Sequence, residues 1–220
     1  MPSPLAPQPI DKLAGSLRHR FLLAIEPLKV MDKVMLGKAL SLAEEVHKQQ
    51  TRRPSRSNPS KAAPFIVHPL RVSLIIVEEL ELKEPIALAA ALLHDVVEMS
   101  QGKVTIGQIE ESFGRPIAMM VSILTMPPGT ANLASTERDQ KLKIYQERIQ
   151  HASVETKLVK LADRLDNTRE AQDLLDKGFQ QKFLDEGRSF YLPLAENTDN
   201  YLCEELALAL DALEKAIKFG

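Results

Sequence analysis

The chain has 220 residues, 44% of them hydrophobic and 26% charged, which is the composition of an ordinary globular protein of one domain, with room for an extra helical arm. A net charge of −2 excludes a global electrostatic attraction to nucleic acid or to an anionic membrane, so an anionic ligand needs a local basic cluster. The single cysteine, Cys203, excludes an intrachain disulfide, and the longest clean apolar run, residues 86–93, is far shorter than the about 20 residues that cross a bilayer. These features predict a cytoplasmic protein with neither a membrane nor a nucleic-acid partner.

Apolar residues recur at helical spacing along most of the chain, and no stretch of useful length alternates with the period of a strand. Residues 1–9, with four prolines, are predicted to be a disordered tail, and a weaker helical pattern follows at residues 11–30. Helices are predicted at residues 33–50, 69–80, 84–99, 105–113, 116–126, 136–152, 154–175, 188–195 and 200–218. The fold class is therefore all-α. Residues 1–32 form a tail that could include a helical arm, and residues 33–220 form a domain of about eight to ten helices.

Local signals mark several ends of these helices. Thr105 and Gln108 match the pattern of a capping box, and Ser153 is a good N-cap. Gly178 and Gly187 are expected to interrupt the chain before its last two helices. Residues 51–64 are rich in proline, serine and basic residues, which predicts a positively charged loop.

Three segments place histidine or acid beside a strongly apolar run: His68, the pair His94-Asp95, and Asp163. Burying a carboxylate costs several kcal/mol unless a cation or a hydrogen-bond donor compensates it. A divalent metal shared with His94 would compensate Asp95. Successive residues of a helix project about 100° apart, close to the angle between neighbouring ligands of an octahedral ion, so both could bind from one helix. Glu98 would lie on the same helical face.

Each of these residues also has an ordinary structural explanation. His68 before a proline could be a hydrogen-bonded histidine, His94-Asp95 a neutral structural pair, and Asp163 the partner of an arginine. The occurrence of all three segments in order favours a shared site. Two imidazoles, two carboxylates and open positions suit Mn²⁺, Fe²⁺ or another first-row ion, which would activate water and stabilise charge on a phosphoryl group.

The order of these residues, H…HD…D, resembles that of the HD superfamily of phosphohydrolases. The fuller text is similar to the hydrolase domain of RelA/SpoT-type alarmone enzymes, and especially to the stand-alone small alarmone hydrolases. The matching segments are HKQQTRR (47–53), PFIVHP (64–69), AALLHDVVE (90–98), FG (113–114) and KLVKLADRLDN (157–167).

The resemblance implies metal-dependent removal of the 3′-pyrophosphate from guanosine tetra- or pentaphosphate, usually with Mn²⁺. It implies four metal ligands, namely His68, His94, Asp95 and Asp163. Glu98 would position or deprotonate the attacking water, and Asn167 would assist near the metal. Arg52 and Arg53 would lie beside the nucleotide. Lys141, Arg188 and Tyr191 match further substrate-contacting positions, although a solvated charge or a core tyrosine explains these three as well.

Two departures from the family pattern keep other functions open. The family usually has a second acid where this chain has Met99, and the loop over residues 53–64 is longer than usual. An HD phosphohydrolase acting on another nucleotide or on a dinucleotide phosphate is therefore one alternative. A catalytically impaired relative that binds a nucleotide without turnover is another. The oligomeric state is open as well.

Overall fold

A computed structural model of the protein describes residues 9–57, 62–127 and 135–219, and these residues form helices joined by loops, without a β-strand. The helices are α1 (Pro9–Ala24), α2 (Val30–His47), α3 (Val67–Leu74), α4 (Pro85–Leu93), α5 (Val96–Met99), α6 (Ile106–Phe113), α7 (Arg115–Leu124), α8 (Ser135–Gln150), α9 (Val154–Ala171), α10 (Lys177–Glu186), α11 (Leu192–Glu196) and α12 (Asn200–Phe219). π-Helical turns extend α3 over Ile75–Glu79 and join α10 to α11 over Gly187–Tyr191. The all-α prediction is confirmed.

If α4 and α5 are counted as one helix, and α10 and α11 as another, the number of described helices in the domain agrees with the predicted eight to ten. α10 runs without a break into α11, and only His94 and Asp95 separate α4 from α5. Of the predicted tail, residues 1–8 lie outside the described residues. No helix in the described part of the chain is long and apolar enough to span a membrane.

Helix α4 occupies the centre of the core. Its residues from Ala87 to Leu93 are all buried, and it packs against α2, α3, α7 and α9. A helix that is apolar on every side can remove its apolar surface from water only when other helices surround it. The ends of α4 are thereby fixed deep in the molecule, which places His94 and Asp95 at the edge of the core.

The predicted helix over residues 84–99 is wrong in one respect, because it breaks at His94-Asp95. Nδ1 of His94 donates to the carbonyl oxygen of Ala91 at 2.8 Å. In an unbroken helix that carbonyl would accept the N–H of Asp95, four residues on. Asp95 instead adopts φ −96° and ψ −8°, and α5 begins after it. The two residues therefore reach the site from a turn, not from the face of one helix.

The sequence context of Gly187 suggested that this glycine interrupts the chain, but the structure shows no interruption there. The helical backbone is continuous from Lys177 to Glu196, and the segment Lys177–Glu186 was missed as a helix. A Cβ added to Gly187 would lie 2.4 Å from Cδ2 of Leu210 in α12. Glycine is therefore required at this position because two helices approach closely, not because the backbone turns.

The local end signals of α6 and α9 are confirmed. Thr105 and Gln108 form the reciprocal capping box, and the side chain of Ser153 accepts a hydrogen bond from the backbone N–H of Thr156. The described parts of the basic loop are irregular, as predicted. Two isolated bridges, Thr51 with Pro64 and Ser55 with Leu174, hold this loop closed and against the end of α9.

Candidate metal centre and active site

Four side chains from three places in the fold converge on one point. His68 lies in the first turn of α3, His94 and Asp95 form the turn after α4, and Asp163 lies in the middle of α9. Nε2 of His68 is 3.2 Å from Nε2 of His94 and 3.1 Å from Oδ1 of Asp163. Oδ2 of Asp95 is 3.2 Å from Nε2 of His94. Ligand atoms that surround an ion at about 2.1 Å and at right angles lie about 3 Å apart, so these separations fit a shared cation.

The hydrogen bonds on the far side of both imidazoles fix their tautomers. Nδ1 of His68 lies 2.7 Å from Oδ2 of Asp166, and Nδ1 of His94 lies 2.8 Å from the carbonyl oxygen of Ala91. A carboxylate and a carbonyl can only accept, so each neutral imidazole carries its proton on Nδ1. Both Nε2 lone pairs then point at each other and at two carboxylates. Such a set of lone pairs is stable around a cation, and the candidate ligand atoms of His68, His94 and Asp95 all lie within 4.8 Å of one another, which fits a divalent metal. Asp163 joins this group through Oδ1, which is 3.1 Å from Nε2 of His68 and 3.7 Å from Nε2 of His94.

The charges around the cluster act strongly on its members. Burial opposes a charged His94, but the neighbouring Asp95 outweighs this effect and raises the pKa of His94 to about 9. Burial likewise opposes an ionised Asp163, but Lys160 holds the pKa of that carboxyl well below its usual range. Nζ of Lys160 is 2.8 Å from Oδ2 of Asp163, which leaves Oδ1 facing the histidines.

A small cavity of about 160 Å³ opens beside the cluster. It is lined by His94, Asp95, Glu98, Leu124, Met126, Tyr145, Lys160, Asp163 and Asn167. Glu98 lies at its rim and accepts a hydrogen bond from the backbone N–H of Met126. Loss of water and the charge of Asp95 raise the pKa of Glu98 to about 7. A carboxylate with that pKa can exchange a proton near neutral pH.

Met99 is not among the described residues that line this cavity. Its carbonyl oxygen accepts a hydrogen bond of 2.8 Å from Nε2 of Gln50. Oε1 of the same glutamine lies 2.7 Å from Nδ1 of His47. Position 99 thus helps to tie the end of α5 to the end of α2, and Glu98 is the residue of α5 that faces the cavity.

Asn167 connects the cluster to the basic loop. Its Nδ2 donates to Oδ1 of Asp163 at 2.5 Å, and its Oδ1 accepts from Nη2 of Arg52 at 2.6 Å. Arg52 also donates to Glu170 through Nε and Nη2, at 2.9 Å and 2.6 Å. The guanidinium of Arg52 is therefore held in place beside the cluster.

A second small cavity, also of about 160 Å³, lies between this loop and the aromatic residues of α10. Arg52 and Arg53 line it together with Phe65, Phe179 and other residues. The guanidinium carbon of Arg53 lies 4.1 Å from the centre of the Phe179 ring, and that of Arg52 lies 5.2 Å from the centre of the Phe65 ring. A slot with cationic and aromatic walls suits a planar ring that carries phosphates.

A family model described as the HD domain matches residues 39–199, which include all four converging residues. The chain belongs to the HD-domain family.

Relatives of this HD domain include two guanosine-3′,5′-bis(diphosphate) 3′-pyrophosphohydrolases named MESH1. The one from Xenopus tropicalis is 34% identical over 155 residues, which cover 70% of this chain and 79% of the relative. The one from Homo sapiens is 31% identical over 150 residues, which cover 68% and 76%. A solved structure described as a metazoan ortholog of SpoT that hydrolyzes ppGpp aligns with a TM-score of 0.66 at 26% identity, covering 80% of this chain and 94% of that one.

The other three residues suggested as substrate contacts line neither of the two small cavities of this HD domain among the described residues. Arg188 is tied to α12, because its Nη2 is 2.9 Å from Oδ1 of Asp211 and 2.6 Å from Oε2 of Glu214. Lys141 lies on α8, one turn before Tyr145, and lines neither small cavity among the described residues. Tyr191 is buried, with its ring centre 5.8 Å from Nζ of Lys160.

Sequence reasoning missed three residues that the HD fold brings to the site, namely Asp166, Lys160 and Tyr145. Asp166 orients His68, Lys160 binds Asp163, and Tyr145 lines the cavity. The first two lie three residues after and three before Asp163, so helical spacing could have placed them on nearby faces of α9. No comparable signal marked Tyr145.

Proposed function

We propose that this HD domain removes the 3′-pyrophosphate of guanosine tetra- or pentaphosphate in a metal-dependent hydrolysis. The observation that carries the proposal is the approach of the carboxylates of Asp95 and Asp163 to Nε2 of both histidines, beside a cavity that Glu98 and Lys160 also line. The named activity of the MESH1 relatives supports the choice of substrate. A role in the stringent response and a cytoplasmic location are part of the same proposal.

The proposed metal is Mn²⁺, held by His68, His94, Asp95 and Asp163. Oxygen and imidazole ligands together are the set that a first-row ion of this kind accepts. When bound, the ion lowers the pKa of a water molecule and stabilises negative charge on a phosphoryl oxygen. Asp166 keeps His68 in the tautomer that can bind it, and the carbonyl of Ala91 does so for His94.

Glu98 is the proposed base. Its carboxylate lines the cavity, and its pKa of about 7 allows it to take a proton from water near neutral pH. Lys160 places a positive charge in the same cavity, where it would attract the pyrophosphate that is released when water attacks its phosphorus and the bond to the ribose 3′-oxygen breaks. Asn167 would hold Asp163 and Arg52 in a fixed relation.

The proposed nucleotide site uses the basic loop. Arg52 and Arg53 line the aromatic slot, which shares Asn167 with the cavity beside the cluster. The base would lie in the slot and the 3′-pyrophosphate in the cavity. Lys141, Arg188 and Tyr191 belong to this proposal only through the family resemblance, and Arg188 would have to leave its two carboxylates to contact a nucleotide.

The test is pyrophosphate release from guanosine tetraphosphate by the Mn²⁺-loaded protein, with His94→Ala as the control. Release that disappears in the control is the expected result. A metal-loaded protein that leaves this substrate intact but hydrolyses another nucleotide or a dinucleotide phosphate would contradict the choice of substrate.

Met99 supports a second candidate, an impaired HD domain that binds the nucleotide without turnover. The family's second acid is missing here, and no described residue of α5 other than Glu98 supplies a carboxylate to the cavity. Tight binding of guanosine tetraphosphate without hydrolysis, even by Met99→Asp, would favour this candidate. Turnover by the wild-type protein that Asp95→Ala abolishes would exclude it.

A further inference from the structure

A larger cavity, of about 620 Å³, lies behind His68, because Asp166 lines this cavity and is also 2.7 Å from Nδ1 of His68. Its walls come from α1, α3, the basic loop and α9. The lining residues used below are Leu13, Leu17, Arg53, Arg71, Asp166 and Glu170. Leu13 and Leu17 belong to α1, which precedes the residues that the HD-domain model matches. The cavity is therefore partly built from a segment outside the family's common core.

The acids that line this cavity already have hydrogen-bond donors. Asp166 accepts from His68, and Glu170 accepts from Arg52. Asp173 accepts from the backbone and the hydroxyl of Ser57. Glu79 accepts from both terminal nitrogens of Arg169 at 3.2 Å and 3.1 Å. Their capacity to bind a cationic ligand is largely used.

Two arginines that line the cavity, in contrast, make no hydrogen bond to a carboxylate among the described residues. Nη1 of Arg71 is 3.7 Å from Asp166 and 3.9 Å from Glu170, both longer than a hydrogen bond. Arg53 rests on the ring of Phe179 and makes no hydrogen bond with a carboxylate among the described residues. Each guanidinium has five N–H groups in a planar fork that matches the oxygens of a phosphate. The cavity thus offers unused donors for an anion.

The opposite wall is apolar. Leu13 is 39% exposed and Leu17 is half-buried, and both face the cavity together with Leu74 and Ile75 of the extended α3. The volume of this cavity lies within the range of about 300–1,000 Å³ that is typical of small-molecule sites. An exposed apolar wall opposite two guanidinium groups that make no hydrogen bond to a carboxylate suits a ligand that has a flat ring at one end and a phosphate at the other.

We infer that this cavity is an effector site for a nucleoside monophosphate, whose phosphate contacts Arg71 and Arg53 and whose base lies against Leu13 and Leu17. The site shares no described lining residue with the cavity beside the metal cluster, but it shares Arg53 and Glu170 with the aromatic slot proposed for the base of the substrate. Arg71 lines the larger cavity and not the slot, so it distinguishes the two sites. Binding of the nucleoside monophosphate to this site can be measured without turnover of a substrate.

Asp166 and Glu170 connect the two sites. Asp166 has one oxygen on His68 and the other towards Arg71, and Glu170 lies between Arg71 and Arg52. A bound phosphate adds negative charge behind His68 and draws Arg71 away from Asp166. Both effects favour a cation at the cluster, so the nucleotide tightens metal binding and, by linkage, the metal tightens nucleotide binding by the same factor.

The chain has no tryptophan, so Leu13→Trp introduces a single fluorescent reporter into the wall of the cavity. We expect AMP and GMP to change its emission saturably, and ribose 5-phosphate to bind at least about tenfold more weakly because it lacks a base to lie on the apolar wall. Leu23→Trp, exposed on the same helix but outside this cavity, is the matched reporter and should not respond. No response at Leu13→Trp, an equal response at Leu23→Trp, or equal affinity for ribose 5-phosphate would overturn the inference.

Arg71 supplies the second arm of the test. In the Leu13→Trp background, Arg71→Gln should weaken AMP about tenfold or more, Arg71→Lys should recover part of the affinity, and Arg115→Gln, on the exposed start of α7, should change nothing. Helical circular dichroism checks that each variant is folded. AMP should also tighten Mn²⁺ binding about fivefold or more in the wild-type protein and not in Arg71→Gln, as measured by the resonance of free Mn²⁺. Unchanged AMP affinity in Arg71→Gln, or unchanged Mn²⁺ affinity with AMP in the wild-type protein, overturns the inference, whereas absence of hydrolysis bears only on the proposed function.

Discussion

At the scale of single residues, the candidate metal centre depends on atoms that do not touch the metal position. The two histidines present Nε2 because Asp166 and the carbonyl of Ala91 hold their Nδ1 protons. Partners of this kind fix both the tautomer and the direction of an imidazole, and their loss typically costs about 10–100-fold in metal affinity. The tautomers of both histidines therefore depend on hydrogen-bond partners that do not themselves contact the metal position.

We expect Asp166→Asn to weaken Mn²⁺ binding by about 10–100-fold. The amide can donate to Nδ1 of His68, which moves the imidazole proton to Nε2 and blocks the lone pair. Equilibrium dialysis measures the affinity, and Glu155→Gln, an exposed acid on the same helix, is the control. Unchanged affinity in Asp166→Asn would show that His68 does not bind the metal through Nε2.

Glu98→Gln should lower kcat by about 10²–10⁴-fold while leaving Mn²⁺ affinity within a factor of a few, because the carboxylate serves the water and not the metal. The ionised form of Glu98 is the base, and burial raises the pKa of this carboxyl above its usual range, so wild-type activity should rise as the pH increases through that pKa and then level off. Rates measured from pH 5.5 to 8.5 test both statements. A Glu98→Gln enzyme with the wild-type rate and pH profile would assign the base elsewhere.

At the scale of elements, two helices depart from the simplest pattern, each for a local reason. The turn at His94-Asp95 arises where a side chain takes the carbonyl of Ala91, and it separates α4 from α5. The π-helical turn that contains Gly187 lies against Leu210 of α12. Such turns are common at functional or closely packed places in helices.

Gly187→Ala should destabilise the protein by about 1–3 kcal/mol, because the added methyl group meets Leu210 at a distance that forces the two helices apart. Gly37→Ala on α2 is the matched control, since nothing lies within 4 Å of the position its Cβ would take. There the loss of backbone freedom in the unfolded chain should stabilise the protein by about 0.5–1 kcal/mol. Urea unfolding curves compare the two variants, and opposite signs are the expected outcome.

At the scale of the whole molecule, the cluster joins parts of the chain that are distant in sequence. His68 and Asp163 come from α3 and α9, and the turn after α4 completes the set. A ligand that binds only the folded state stabilises it by an amount that grows with its concentration. The metal is therefore expected to act as a cross-link between the central helix and the two helices that pack on it.

At a free Mn²⁺ concentration 100 times its dissociation constant, the free energy of unfolding should rise by about 2.7 kcal/mol. For a chain of this size that corresponds to an increase in Tm of about 5–10 °C. A thermal scan with Mn²⁺ and one with a chelator give the difference, and Asp163→Ala should abolish it. An equal increase in Asp163→Ala would place the stabilising metal elsewhere.

The sequence by itself determined most of the helices, although not α10, and the identity of the converging residues. Helical spacing depends on contacts three and four residues apart, so α2 and α9 were predictable to within a few residues, and the all-apolar α4 was recognisable as central. Capping also acts within one turn, which explains the success at Thr105 and Ser153. The order of histidines and acids carried the family resemblance.

Only the tertiary structure decided how these residues meet. Asp166 lies 98 residues from His68, and nothing in the spacing of either one predicts their hydrogen bond. The turn at His94-Asp95, the pairing of Arg188 with α12 and the close approach at Gly187 likewise depend on neighbours distant in sequence. Local periodicity fixes which face of a helix is apolar, but the packing of helices fixes which polar side chains are brought within hydrogen-bonding distance, and the chemistry of the site follows from that packing.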